Sequence, residues 1–361
     1  MRVQRMVMPV TGVQSWTVVN DEFVTVAPVE TYLAHLAAIE RSPNTVKAYA
    51  HGLRLWFEFL DARSLAWDNI GVEEVSRFVA WLRAPGDNVI VLNDRAALRS
   101  EATVNRHLAA VFGLYDFHHR SGVKVAADLV AWRRVPRGAY KPFLHHVTAG
   151  RPIATRPVKL RTQRRLPRTL EPSEVTAILS ACDRLRDRFL FALLAETGMR
   201  VGQALGLRHE DFVSRDRRVV IVPRNDNVNG ARAKCREAVG LPVSAQLVRL
   251  YSNYMHIEYG TLDSDYVFVN LWSAPLGRPM RYDAVAKLVT RLRRKTGIEF
   301  SPHTLRHTRA TELIRSGAPI EVVSKLLTHR SVTTTSSTYV HLDTEDLRAA
   351  LERAGAWLCP S

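Results

Sequence analysis

Apolar residues recur every three or four positions along the first third of the chain. In "SPNTVKAYAHGLRLWFEFL", Val46, Tyr49, Leu53, Trp56 and Leu60 fall on one helix face, with Ser42 placed to cap and Pro43 suited to the first turn. "PVETYLAHLAAIE", "VEEVSRFVAWLR" and "ATVNRHLAAVFGLYDFHHRSG" behave alike, the last stopping at Gly122, and no strand pattern interrupts them. Residues 28–125 are predicted to form a small helical bundle behind a tail over residues 1–27.

The pattern then breaks. Residues 133–168 hold eleven Lys or Arg, no Asp or Glu, and prolines at 136, 142, 152, 157 and 167. Repeated prolines remove backbone donors and bias their predecessors toward extended conformations, so residues 126–168 are read as a linker. A charge run is often just solvated. An extended cationic strap can equally follow a duplex backbone, with Arg161, Arg164, Arg165 and Arg168 as candidate DNA contacts.

Beyond the linker the periodicity is mixed. Helices are expected at "SEVTAILSAC" and "DRFLFALLAETG", then a strand pair, "RRVVIVP" and "EAVGLPV", around the polar basic loop "NDNVNGARAKCR". "DYVFVN" reads as a further strand, and helices follow at "YDAVAKLVTRLRRKTG", "TLRHTRATELIRSG", "IEVVSKLLTH" and "TEDLRAALERAG". The fold class is mainly α with a small β component, and residues 169–361 form a second, mixed domain ending in a helix.

Composition narrows the class. The 361 residues are 46% hydrophobic and 24% charged, as in globular proteins, and 51 Lys plus Arg against 35 Asp plus Glu leave +16. Such a balance suits a polyanionic partner, nucleic acid first. Cys182, Cys235 and Cys359 are too scattered for a disulfide framework or a metal site, which fits a reducing cytoplasm. The longest apolar run, "FLFALLA", is far below membrane-spanning length.

Candidate chemistry gathers late in the chain. In "SPHTLRHTRATELIRSG", Ser301 and Pro302 place His303 and Arg306 at a helix start, where amide donors and the dipole favour an anion. His303 alone could be a capping or core histidine. His303 and His307 have a zinc-face spacing, but the Glu of HExxH and a third ligand are missing, so no metal is assigned.

Taken in order, "TGMRVGQALGL", a lysine in the hairpin loop, "HTLRH" and "LLTHRSVTTTSSTYVHL" resemble the tyrosine recombinase/integrase family, whose pattern is Arg, Lys, His-x-x-Arg, His, Tyr. "NGARAKCRE" and "TYVHL" look more like transposon recombinases of the transposase A type than the Xer type. The resemblance covers nearly the whole chain. It implies a SAM-like helical core-binding domain over residues 28–125, joined by the linker to a catalytic domain. It makes Arg200 and Arg306 the clamp on the scissile phosphate, Lys234 the loop lysine, His303 and His329 the two histidines, and Tyr339 the nucleophile.

The physics of phosphoryl transfer agrees with those roles. Guanidiniums matched to phosphate oxygens neutralise charge that builds in the transition state. A tyrosine hydroxyl with a reference pKa of about 10 needs a positive field and a proton acceptor, for which His303 is the candidate. Lys234 is the candidate acid for the 5′ oxygen, while Arg224 and Arg232 in the same loop are ordinary phosphate-contact candidates. No cofactor is expected, because the phosphotyrosine conserves the bond energy and no nucleotide-binding loop is present.

The resemblance implies a site-specific recombinase that acts on double-stranded DNA at a specific site, works as a homotetramer and is associated with the nucleoid. Alternatives are a non-catalytic sequence-specific DNA-binding protein and a type IB topoisomerase-like enzyme. Two positions depart from the family pattern. Gln203 stands where Glu or Asp is usual, and "LTHRS" replaces "LGHSS", so the helix before His329 lacks its usual glycine.

Overall fold

The computed structural model describes residues 1–7, 14–84, 99–126, 129, 132–133, 153–154, 157–162, 168–233, 235 and 237–328. The chain divides into two units, Met1–Arg164 and Arg165–Ser361. The expected linker span 126–168 therefore straddles the division between them.

The first unit opens with a hairpin where a tail was expected. β1 (Arg2–Val7) and β2 (Gln14–Val19) pair antiparallel with Arg2 opposite Val19. β2 packs on the bundle with Val18 fully buried. The β-branched and aromatic residues of "QSWTVV" are the sequence signal for it.

Four helices follow as the periodicity requires: α1 (Ala27–Ala38), α2 (Pro43–Asp61), α3 (Val72–Arg83) and α4 (Glu101–Arg120). α2 buries Val46, Leu53, Trp56 and Leu60 as its spacing predicts, although Ser42 makes no side-chain capping bond and Pro43 begins the first turn alone. Each such large apolar side chain contributes about 1.5–3 kcal/mol relative to remaining exposed. Trp56 meets its polar need inside the core: its indole N–H donates to the Tyr115 hydroxyl at 3.2 Å, and that hydroxyl donates to the Trp67 carbonyl at 2.6 Å.

Part of the proline-rich stretch is tied to this unit. β3 (Trp132–Arg133) and β4 (Ile153–Ala154) pair antiparallel, and Asn105 of α4 exchanges two 2.9 Å hydrogen bonds with the backbone of Leu160.

The second unit contains α5 (Pro172–Ser180), α6 (Leu185–Thr197), the short α7 (Val201–Leu205), strands β5 (Phe212–Val213), β6 (Arg218–Ile221) and β7 (Val239–Pro242), then α8 (Ala245–Tyr254), α9 (Tyr282–Thr296), α10 (Pro302–Arg315) and α11 (Ile320–Leu326). The expected strand pair is the β6–β7 half of a three-stranded antiparallel sheet. α6 is apolar almost all round, and Phe189, Leu190, Phe191, Leu193 and Leu194 are all fully buried.

The segment "DYVFVN" does not form the expected strand. Its backbone joins two isolated bridges, Arg208 with Tyr266 and Val269 with Pro279, and Val267 donates to the Leu207 carbonyl at 3.0 Å. Different neighbours take its hydrogen bonds in turn, so no ladder extends. Among the described residues, no helix is long and apolar enough to cross a membrane.

Candidate active site

Gly198 is where the site begins. It caps α6 with φ 65°, a left-handed turn that glycine enters without a Cβ penalty, and it delivers Met199 into the core and Arg200 to the start of α7. On α10, Ser301 accepts from the Thr304 amide at 3.2 Å and Thr304 accepts from the Ser301 amide at 3.1 Å, with Pro302 in the first turn, as the sequence predicts. That cap sets the phase that turns Arg306 inward, where it is 1% exposed, and leaves His303 at the surface.

The two arginines converge. Arg306 donates from Nη1 to the Gly198 carbonyl at 2.7 Å and from Nη2 to the Leu327 carbonyl. Arg200 donates from Nη1 to Thr328 Oγ1 at 3.0 Å and to the Thr328 carbonyl at 3.4 Å. Consecutive residues of the turn after α11 thus receive one guanidinium each, and the next residue in the chain is His329.

Gln203, 2% exposed, joins a third segment to this pair. Its Oε1 accepts from the Arg200 amide at 2.7 Å, and its Nε2 donates to the Ala233 carbonyl at 3.0 Å and to Thr328 Oγ1 at 2.8 Å. Ala233 immediately precedes Lys234. The loop between β6 and β7 is held in place on its way there: Asn229 donates to the carbonyls of Leu205 and Met280, both at 2.9 Å, and Asn227 donates to the Ala231 carbonyl at 3.0 Å.

The His303 and His307 rings lie 4.8 Å apart, one helical turn from each other. Burial, reinforced by His303 and Arg306, pushes His307 down to about 4, so it is neutral near pH 7. Among the described residues no group of three or more His, Cys, Asp or Glu could hold a metal ion. What the arrangement offers is an electropositive turn beside a helix start, suited to holding an anionic phosphodiester and stabilising charge as it builds.

The sequence candidates fare differently. Arg200 and Arg306 come together, with His303 on the same helix as Arg306. Lys234, His329 and Tyr339 lie outside the described residues, as do Arg164, Arg165 and the expected C-terminal helix. Arg161 and Arg232 are exposed; Arg168 is exposed and pairs with Glu174 at 3.1 Å. Arg224 is ion-paired: its guanidinium meets Asp211 at 2.6 and 2.8 Å and Glu210 at 2.7 Å, so it braces the turn at His209–Asp211.

A second cationic feature went unread in the sequence. A cleft of about 260 Å³ on the first unit is lined by Asn44, Lys47, His51, Arg106 and His107. Burial, with Arg106 and Arg99 adding, pushes His107 down to about 4. The signal was present as Lys47, His51 and Arg54 at spacings of four and three on the polar face of α2, a pattern that is usually only solvated.

Guanidiniums gathered from distant segments onto one turn suit an enzyme that works on phosphodiesters. The phage integrase family profile matches residues 168–346, and the profile of the phage integrase N-terminal SAM-like domain matches residues 29–122. Transposase A from transposon Tn554 of Staphylococcus aureus is 39% identical over 350 residues, covering 96% of each chain. Tyrosine recombinase XerD of Corynebacterium glutamicum is 31% identical over 332 residues, 88% of this chain and 94% of that one. Among solved structures, the Tn1549 transposon integrase in complex with transposon right end DNA shares the fold, with a TM-score of 0.62 at 15% identity over 91% of this chain and 99% of that one. The chain belongs to the phage integrase family and is a tyrosine recombinase, a DNA breaking and rejoining enzyme.

Proposed function

We propose that Arg200 and Arg306 hold the scissile phosphate of a specific recombination site and that Tyr339 attacks it. The observation that supports this most is the convergence of both guanidiniums on Leu327 and Thr328, directly before His329. The Tyr339 oxygen forms a bond to phosphorus as the bond from phosphorus to the 5′ oxygen breaks, leaving a 3′-phosphotyrosine and a free 5′ hydroxyl. His303 accepts the tyrosine proton, Lys234 protonates the leaving 5′ oxygen, and His329 hydrogen-bonds a non-bridging oxygen. A 5′ hydroxyl from a partner strand then reverses the step, without cofactor.

The basic cleft on α2 and α4 supports a DNA-binding role for residues 28–125, the proposed core-binding domain, with residues 169–361 as the catalytic domain. Arg161, Arg168 and Arg232 are exposed and suited to phosphate contacts along the same duplex. We assign the active form as a homotetramer on two DNA sites, acting at the nucleoid. The 39% identity to a transposon-encoded transposase A favours transposition as the cellular role.

Incubation of wild type and Tyr339→Phe with a nicked duplex carrying the target site tests the assignment. A covalent protein–DNA adduct on a denaturing gel is expected for wild type only. An adduct that persists in the variant overturns the role of Tyr339.

A further inference from the structure

We propose that the Thr328 hydroxyl is a positioning group for strand cleavage, working with Gln203 to set the Arg200 guanidinium and the turn that carries His329. The inference rests on the phosphate-binding role of Arg200 given above.

Thr328 has φ 52°, in the left-handed region that favours glycine and is unfavourable for a β-branched residue. It sits just past the end of α11, with its amide donating to the Lys325 carbonyl at 2.9 Å. Glycine would fill that position without strain. A threonine kept in a strained conformation points to a use for its side chain. Here the use is visible: Thr328 Oγ1 accepts from Gln203 Nε2 at 2.8 Å and from Arg200 Nη1 at 3.0 Å.

The residue at 203 fits the same account. Both amide hydrogens of Gln203 are committed, one to Thr328 and one to the Ala233 carbonyl, while its oxygen takes the Arg200 amide. An ionised carboxylate at 203 could accept from the Arg200 amide but could donate to neither oxygen, and it would face the Ala233 carbonyl with unfavourable charge. The two departures from the family pattern, Gln203 and Thr328, are therefore one feature: a donating amide and an accepting hydroxyl that replace a carboxylate and a bare glycine. The pair ties together Arg200, the residue before Lys234 and the residue before His329.

Thr328→Val keeps the β-branched shape, and hence the backbone cost, and removes only the hydroxyl. In the full-length protein it is expected to slow adduct formation at saturating DNA by about 10- to 100-fold, as small misplacements of catalytic groups do, with the DNA dissociation constant within about twofold of wild type. Thr328→Ser, which restores the hydroxyl, should recover most of the rate. Equal losses in both variants, or a loss of DNA affinity that accounts for the whole effect, would overturn the inference. Arg200→Ala separates the two levels. If it still forms adduct, the reading of Arg200 fails; if it forms none while Thr328→Val cleaves at the wild-type rate, only the positioning role fails.

Discussion

Arg306 Nη1 stands 2.7 Å from the carbonyl oxygen of Gly198, a hydrogen bond that closes 108 residues of chain. The same guanidinium reaches the Leu327 carbonyl, so one buried fork ties the cap of α6 to the end of α11. A charge 1% exposed is costly to bury unless its donors are met, and here carbonyls from two turns meet them.

Arg306→Lys keeps the charge and loses the fork. A single ammonium cannot reproduce the two-point geometry, so adduct formation is expected to fall by at least about 100-fold. Leaving one buried carbonyl unmet should also cost about 1–3 kcal/mol, measurable by urea denaturation. Wild-type cleavage in this variant would remove Arg306 from the site.

Gly198→Ala tests the turn itself. The backbone has φ 65°, and an added Cβ would lie 2.9 Å from Leu327 Cδ2. The left-handed conformation alone costs about 1 kcal/mol with any side chain. Because Leu327 must move, and its carbonyl receives Arg306, cleavage should drop by more than the stability loss explains. Adduct kinetics alongside thermal melting would reveal the disproportion.

The cleft on the first unit makes an electrostatic prediction. Lys47→Ala and Arg106→Ala should each weaken binding about equally for target and unrelated duplexes, and each should reduce the slope of log affinity against log salt by about one. Titrations at a series of salt concentrations measure it. An unchanged slope would exclude these side chains from phosphate contact.

Stability should depend on pH through two histidines, His107, which is buried, and His307, which is half-buried. His107 and His307 have folded values near 4 against 6.5 when unfolded, so between those limits the unfolded chain binds more protons. Their contribution is complete above pH 6.5 and is lost as pH falls toward 4. Melting temperature followed from pH 7 to pH 4.5 should decline, and His107→Gln should flatten the decline. An identical profile in the variant would contradict the burial argument.

The helices were legible because each depends on its own residues: a repeat of three and four positions needs one apolar face, whatever covers it. Val46 through Leu60 on α2 and the Ser301–Pro302 start of α10 came out in the structure as the pattern required. The order of Arg, His-x-x-Arg and the later motifs was likewise readable, since order is a property of the chain.

What tertiary structure alone decided were the partners that distant segments find. The sequence named Gln203 and Thr328 as oddities at separate positions; only the crossing of α7 with the end of α11 made them a hydrogen-bonded pair. Arg224 reads as a free loop cation until Asp211 and Glu210 are seen beside it. "DYVFVN" has strand composition, yet its hydrogen bonds divide between residues 207–209 and residues 277–280, so only isolated bridges form. Periodicity encodes which face is buried, but hydrogen bonds and ion pairs are satisfied by whatever the folded chain brings within about 3 Å.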